Sequence, residues 1–413
     1  MSALKTTLFA GWCIIATCIF FIQPVFAQPV NTGAEVLLSD YIHELRDARV
    51  GLVMNPTARI GQTHMLDTLL TYDVDVVALF SPEHGFRGNF GAGERIADGI
   101  DEASGLPVFS LYGNTRKPDE EMLDGIDVLI FDMQDVGARF YTYISTLGLV
   151  MEAASENGVS VWVLDRPNPA GGNYVAGWIL EPDYSSFVGM YPIPIAHGMT
   201  IGEIALMIKS KQWVSFEGDL DLKIIPMKGW NRDMKWDDTG LAWFPPSPNL
   251  PTPFHAWIYL GTCLIEGTNM SEGRGTDDPF LLFGSPTLNT DSVLAHDWQK
   301  YYNITLTAEN FTPVSIPGRA LSPKHENKEN QGLRVAKPSG NGYPEKPVEF
   351  GVDLLRVMLK YDSEAKTNSF LKLLTGTSKI ESVLQSSDFG NISDLWADDV
   401  ERFLEKRAPF LLY

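Results

Sequence analysis

The sequence predicts an α/β protein whose first half is a parallel sheet covered by helices on both faces. Short apolar runs alternate with helix-periodic stretches, and the runs carry the dense apolar character of strands buried on both sides. Three of them are followed at once by a carboxylate, where open parallel sheets bind ligands.

In chain order, the apolar run 50–54 is followed by a helical pattern at 65–72, then runs at 74–80 and 106–111. The rhythm continues with a run at 128–131, a helix from about 139 to 157 and a run at 159–164. This is βαβ grammar and places a first domain at about 28–210, leaving 211–413 as a second domain of different character. That second half opens with Trp230, Trp236 and Trp243 and the proline-dense stretch 244–253, read as an ordered loop. A glycine-rich polar segment follows at 265–276, then a solvated surface loop at 322–346 and amphipathic helices at 352–361 and 367–374.

The N-terminus reads as an export signal at 1–27. Lys5 supplies the positive start, residues 8–26 are almost wholly apolar, and Val25-Phe26-Ala27 fits cleavage after Ala27. An uncleaved membrane anchor is the competing reading, because a run of this length spans a bilayer. With cleavage, Cys13 and Cys18 leave, Cys263 alone remains, and an intramolecular disulfide is excluded. The expectation is an exported protein, periplasmic or secreted, with no stable membrane insertion after processing.

Composition narrows the function. The 413 residues carry Asp+Glu 52 against Lys+Arg 32, a net charge of −20, which excludes a basic nucleic-acid binder. At 44% hydrophobic, the chain has enough apolar material for a core in each half. The three strand ends are Glu83 in Ser81-Pro82-Glu83-His84-Gly85, Asp132 and Asp135 after Phe131, and Asp165 after Leu164.

Glycosidic cleavage commonly uses one protonated and one ionised carboxyl group. Glu83, beside His84 and Arg87, is the leading catalytic candidate, and Glu266 and Glu272 are candidates for its partner from the second half. Each also has an ordinary structural reading: Glu83 paired with Arg87, or Glu266 and Glu272 orienting Arg274. Asp132, Asp135 and Asp165 either hold sugar hydroxyls or brace Arg139 and Arg166. His197 either meets substrate or satisfies a loop.

Other chemistries fit less well. There is no G-x-S-x-G elbow, and no G-x-G-x-x-G after the first strand, where the chain reads Gly51-Leu52-Val53-Met54-Asn55-Pro56. A metal held by Glu83, His84, Asp132 and His197 lacks a supporting spacing such as H-E-x-x-H. No cofactor, nucleotide or metal is expected. A non-catalytic cell-wall sugar-binding protein and a hydrolase of a cell-wall ester or amide bond are the alternatives.

At these same residues the sequence resembles the bacterial exo-β-N-acetylmuramidases of the NamZ type. The motifs are Ser81-Pro82-Glu83-His84-Gly85-Phe86-Arg87-Gly88, Phe131-Asp132-Met133-Gln134-Asp135 with Arg139 and Tyr141, and Asp165-Arg166-Pro167-Asn168-Pro169. Pro245-Pro246-Ser247-Pro248-Asn249 and the run from Glu266 through Asn269 and Glu272 to Arg274 complete them. The resemblance implies a Rossmann-like N-terminal domain, a smaller α+β C-terminal domain and an active site in the cleft between them. It implies an exo-acting hydrolase that releases N-acetylmuramic acid from peptidoglycan fragments or muropeptides, with Glu83 as the leading catalytic residue. His84, Arg87, Gln134, Tyr141, Asn168, Asn249, Asn269 and Arg274 are its expected substrate contacts, with Asp132, Asp135, Arg139, Asp165, Arg166 and His197. N-acetylmuramic acid bears a lactyl carboxylate, for which Arg87, Arg139, Arg166 and Arg274 are candidate receivers. Ala196 and Ala176 depart from the family pattern, which has an arginine and frequently a glutamate there.

Overall fold

The computed structural model describes residues 30–83, 85–87, 98–113, 115–337, 343–386 and 390–413; the stretch 1–27 read as an export signal and His84 lie outside them. Its centre is a seven-stranded sheet formed by β1 (Arg49–Met54), β2 (Asp75–Ser81), β3 (Gly99–Ile100), β4 (Pro107–Ser110), β5 (Val128–Asp132), β6 (Ser160–Leu164) and β7 (Leu222–Ile225). The spatial order is β3-β4-β2-β1-β5-β6-β7, all parallel except β3 at one edge. From β1 the chain winds first to one side and then to the other, as in doubly wound folds.

The strands are buried on both faces, which explains their continuous apolar runs. Along β1 and β5, Val53, Leu129 and Phe131 face one apolar core, while Leu52, Met54 and Ile130 face another. The first core is covered by helices α2 (Tyr143–Asn157) and α3 (Ile201–Lys211); α1 (Met65–Thr71) covers the second. Gly158 ends α2 in the left-handed conformation at φ 65°. A capping box of Thr200 and Glu203 starts α3, a device that stabilises a helix by about 1 kcal/mol.

The second unit is smaller in its sheet: β8 (Leu282–Ser285), β9 (Leu306–Ala308) and β10 (Gln331–Val335) form an antiparallel ribbon in the order β8-β10-β9. Beside it α4 (Pro253–Thr262) packs on α5 (Pro347–Tyr361). The two helices touch backbone to backbone. A Cβ on Gly261 would stand 1.9 Å from the Pro347 carbonyl oxygen, and one on Gly351 only 2.3 Å from Gly261. The first core runs on from the sheet through Tyr259, Phe283 and Leu355, so the two units share one apolar interior.

Three sequence expectations need adjustment. The sheet takes β7 from residues beyond 210. The helix expected from 139 starts at Tyr143, because Arg139 lies in a turn and its N–H is bonded to the Ile195 carbonyl. The surface loop expected at 322–346 contains the central strand β10, whose Leu333 and Val335 are buried; Gly332 before them and Arg334 between them mask the apolar pattern.

Candidate functional site

A cavity of about 390 Å³ opens where the carboxyl ends of β2 and β4 and the N-terminus of α2 meet the second unit. A volume of that order is in the range of small-molecule sites. The first unit contributes Glu83, two residues past β2, Tyr112 past β4, and Tyr141 and Thr142 ahead of α2. The second contributes Cys263, Glu266 and Arg274 from the turn that follows α4. Ser247 and Leu250 of the proline-dense loop form part of the wall; that loop is anchored where the buried Tyr143 hydroxyl donates to the Pro246 carbonyl at 2.7 Å.

The two carboxylates have different neighbours. The Thr142 hydroxyl donates to Glu83 Oε2 at 3.2 Å, and the half-buried Tyr112 hydroxyl shares a hydrogen bond with the same carboxylate. Desolvation and then the Glu83 charge push the Tyr112 phenol well above the ordinary tyrosine value, so it remains a neutral donor. Glu266 Oε1 accepts from Arg274 Nε at 2.9 Å and Nη2 at 2.7 Å, and the Cys263 thiol lies 3.6 Å from Oε2. Burial, followed by the Glu266 charge, pushes that thiol far up, so it is an unreactive donor. Arg274 lies over Phe280 at 5.1 Å; burial opposes its charge, but the Glu266 and Glu272 carboxylates together hold its guanidinium above the ordinary arginine value.

Of the expected catalytic residues, Glu83 and Glu266 therefore face one cavity from opposite units. Glu272 does not line it. Its side chain is buried behind Arg274, 3.6 Å from that guanidinium and 3.0 Å from Lys324 Nζ, so it braces the arginine. Among the expected substrate contacts, Tyr141 and Arg274 line the cavity and the others that the structure describes do not.

Those others belong to a web of internal contacts, in which Gln134 Oε1, Asp135 Oδ1, Arg139 Nε and His197 Nε2 are buried without a hydrogen-bond partner. Arg166 grips Asp132 through Nε at 2.5 Å and Nη2 at 2.8 Å. Asp165 accepts from the Thr200 hydroxyl, the Gly202 N–H and the Tyr413 hydroxyl, and burial raises its carboxyl to about 6. Asn168 bridges the Ala170 N–H and the Met199 carbonyl, and Gln134 donates to the carbonyls of Asp135 and Pro167. Asp135 caps the Gly137 N–H and lies 3.6 Å from the buried His197. Arg139 is fully buried, donating to the carbonyls of Trp178, Ile193 and Leu374, and burial draws its guanidinium below the ordinary arginine value.

Arg87 is paired with Asp101, whose carboxyl that partner holds near 2. Asn249 donates to the Arg319 carbonyl, and Asn269 clamps the Glu364 carbonyl and the Lys366 N–H. The sequence reading missed Tyr112, Arg116, Thr142 and Cys263. For Tyr112 and Arg116 the missed signal is position, since both follow the 106–111 run by a few residues, as Glu83 follows its own strand. No group of three potential metal-ligating side chains is found among the described residues.

The family models agree with the two-unit geometry. Residues 50–254 match exo-β-N-acetylmuramidase NamZ, N-terminal, and residues 257–413 match its C-terminal counterpart. The chain belongs to the NamZ family. It is 41% identical over 393 residues to the peptidoglycan β-N-acetylmuramidase NamZ of Bacillus subtilis (strain 168), covering 93% of this chain and 91% of that protein. Two crystal structures of DUF1343 family proteins from Bacteroides fragilis NCTC 9343 share the fold. One has a TM-score of 0.81 at 32% identity over 93% of this chain and 99% of its own; the other has 0.76 at 36% over 94% and 99%. The departures from the NamZ pattern at Ala176 and Ala196 sit opposite each other in a buried bridge and do not line the cavity.

Proposed function

We propose that this NamZ-family chain is an exo-acting glycoside hydrolase that releases N-acetylmuramic acid from the non-reducing end of peptidoglycan fragments. The observation that carries the reading is the convergence of Glu83 and Glu266, one from each unit, on one cavity of monosaccharide scale. Similarity to the Bacillus peptidoglycan β-N-acetylmuramidase supports the substrate class. In this reading Glu83 donates the proton to the leaving glycosidic oxygen, with Tyr112 and Thr142 orienting the carboxyl through their hydroxyls. Glu266, fixed by Arg274, is the second carboxylate and stabilises the positive charge that develops at the anomeric carbon. The apolar leader with its Ala27 junction supports action outside the cytoplasm, where such fragments arise.

The test is release of sugar from a chromogenic β-N-acetylmuramic acid glycoside by the parent, Glu83→Gln and Glu266→Gln proteins. Turnover that collapses in both variants, with melting unchanged, is the expected result. A folded parent inactive on this glycoside and on longer muropeptides would overturn the reading in favour of a sugar-binding protein.

A further inference from the structure

N-acetylmuramic acid brings an anion, its lactyl carboxylate, into a cavity that already holds two glutamates, on a chain of net charge −20. Such a ligand needs a cation whose donors are uncommitted. Three arginines expected from the sequence are committed elsewhere: Arg87 to Asp101, Arg166 to Asp132, and Arg139 to three backbone carbonyls. On the cavity wall, the cations among the described residues are Arg274 and Arg116. Arg274 spends its Nε and Nη2 on Glu266; its Nη1 has no hydrogen-bond partner but is buried from solvent, leaving no forked pair of donors open to a carboxylate.

Arg116 differs in each respect. It is exposed, it forms no ion pair among the described residues, and its guanidinium lies over the Phe187 ring at 4.3 Å, where Phe187 is itself part of the wall. Stacking fixes the plane of a guanidinium while leaving its edge donors free, the arrangement that forks a carboxylate. Glu83, Tyr112 and Arg116 all line this cavity, so the cation and the proton donor share one space. In a muramic acid ring the lactyl ether sits at C3, two ring positions from the anomeric carbon that Glu83 must serve.

We infer that Arg116 is the specificity-determining residue that receives the lactyl carboxylate and so selects N-acetylmuramic acid over N-acetylglucosamine. This inference deepens the muramidase reading and rests on it.

The experiment compares the parent with Arg116→Ala and Arg116→Lys on the chromogenic N-acetylmuramic acid glycoside and on its lactyl amide, which removes the charge from the substrate. Charge-assisted hydrogen bonds lead to an expected loss of about 30-fold in kcat/KM for Arg116→Ala on the acid, mostly in KM. Arg116→Lys recovers part of it. The parent loses a similar factor on the amide, and Arg116→Ala treats acid and amide alike. An Arg116→Ala protein that falls below the parent by the same factor on the amide as on the acid, or on neither, overturns the inference.

A second readout does not depend on turnover. Calorimetry of free N-acetylmuramic acid and N-acetylglucosamine on the Glu83→Gln protein should show preference for the muramic acid, and adding Arg116→Ala should abolish the preference. An inactive parent that still shows this Arg116-dependent preference would sink the hydrolase reading and leave the subsite standing. Equal affinity for the two sugars would sink the subsite.

Discussion

Two polar regions lie beyond the carboxyl ends of the sheet, and they use the same kinds of residue for opposite ends. Around Glu83 and Glu266, hydroxyls and one arginine hold carboxylates against an open cavity. Around Asp132, Asp165 and Arg139, protein partners take both carboxylates and the end of the guanidinium: a bidentate arginine, three hydroxyl and amide donors, and three carbonyls, with Arg139 Nε left without a partner. The difference teaches that a carboxylate after a parallel strand is a site only when some of its surroundings are left for a ligand. Where the partners are complete, the same position locks loops and chain ends together.

The sharpest way to break this contrast is to remove one charge from each region. Glu83→Gln is expected to cut kcat by about 10³-fold, within the range for general acid catalysis, with little change in urea midpoint. Arg139→Met should do the reverse. It strands the carbonyls of Trp178, Ile193 and Leu374 and costs about 4 kcal/mol in urea unfolding, while the folded fraction keeps its KM. A stable but inactive Arg139→Met would place that arginine at the substrate instead.

Asp165 sharpens the comparison through pH. Burial raises its folded carboxyl to about 6 from the ordinary 3.8. A raised value means that its contribution to stability is complete below about pH 4 and is lost as pH rises through 6. At about 1.4 kcal/mol per unit the loss approaches 3 kcal/mol. Asp165→Asn cannot titrate, so the parent's stability relative to this variant should fall between pH 4 and pH 7 in thermal melts. A constant difference across that range would show that Asp165 does not change charge there. The smallest effect is expected at Asn269, which clamps a loop away from the cavity: Asn269→Ala should cost about 1 kcal/mol and leave kcat/KM unchanged.

Much of the fold was legible because burial on both faces of a strand leaves a continuous apolar run, as at β1, β5 and β6. Glu83 was legible for a related reason, since topology alone sends the residue after such a strand toward the ligand edge. The web around Asp165, Asn168 and His197 was not legible, because which partners a side chain meets is a three-dimensional property. Tyr413, which completes the Asp165 contacts, lies 248 positions away in the chain. Glu272 and Glu266 were indistinguishable for the same reason, being six positions apart on one turn-rich segment, yet only Glu266 reaches the cavity. Arg116 sits in an ordinary polar loop, and nothing in its neighbours signals the aromatic ring beneath it.

The contact between Gly261 and Gly351 bears on how this protein can be altered. Replacing a helical glycine with alanine is a standard route to higher thermal stability, because it restrains the unfolded chain and improves helix propensity. Here that route is closed. Any methyl group at position 261 must wedge α4 away from α5, and α4 leads directly into the turn that bears Glu266. The separation of the two helices is thus also a ruler for how far the second carboxylate extends, and attempts to harden this helix pair would detune the reaction before they toughened the fold.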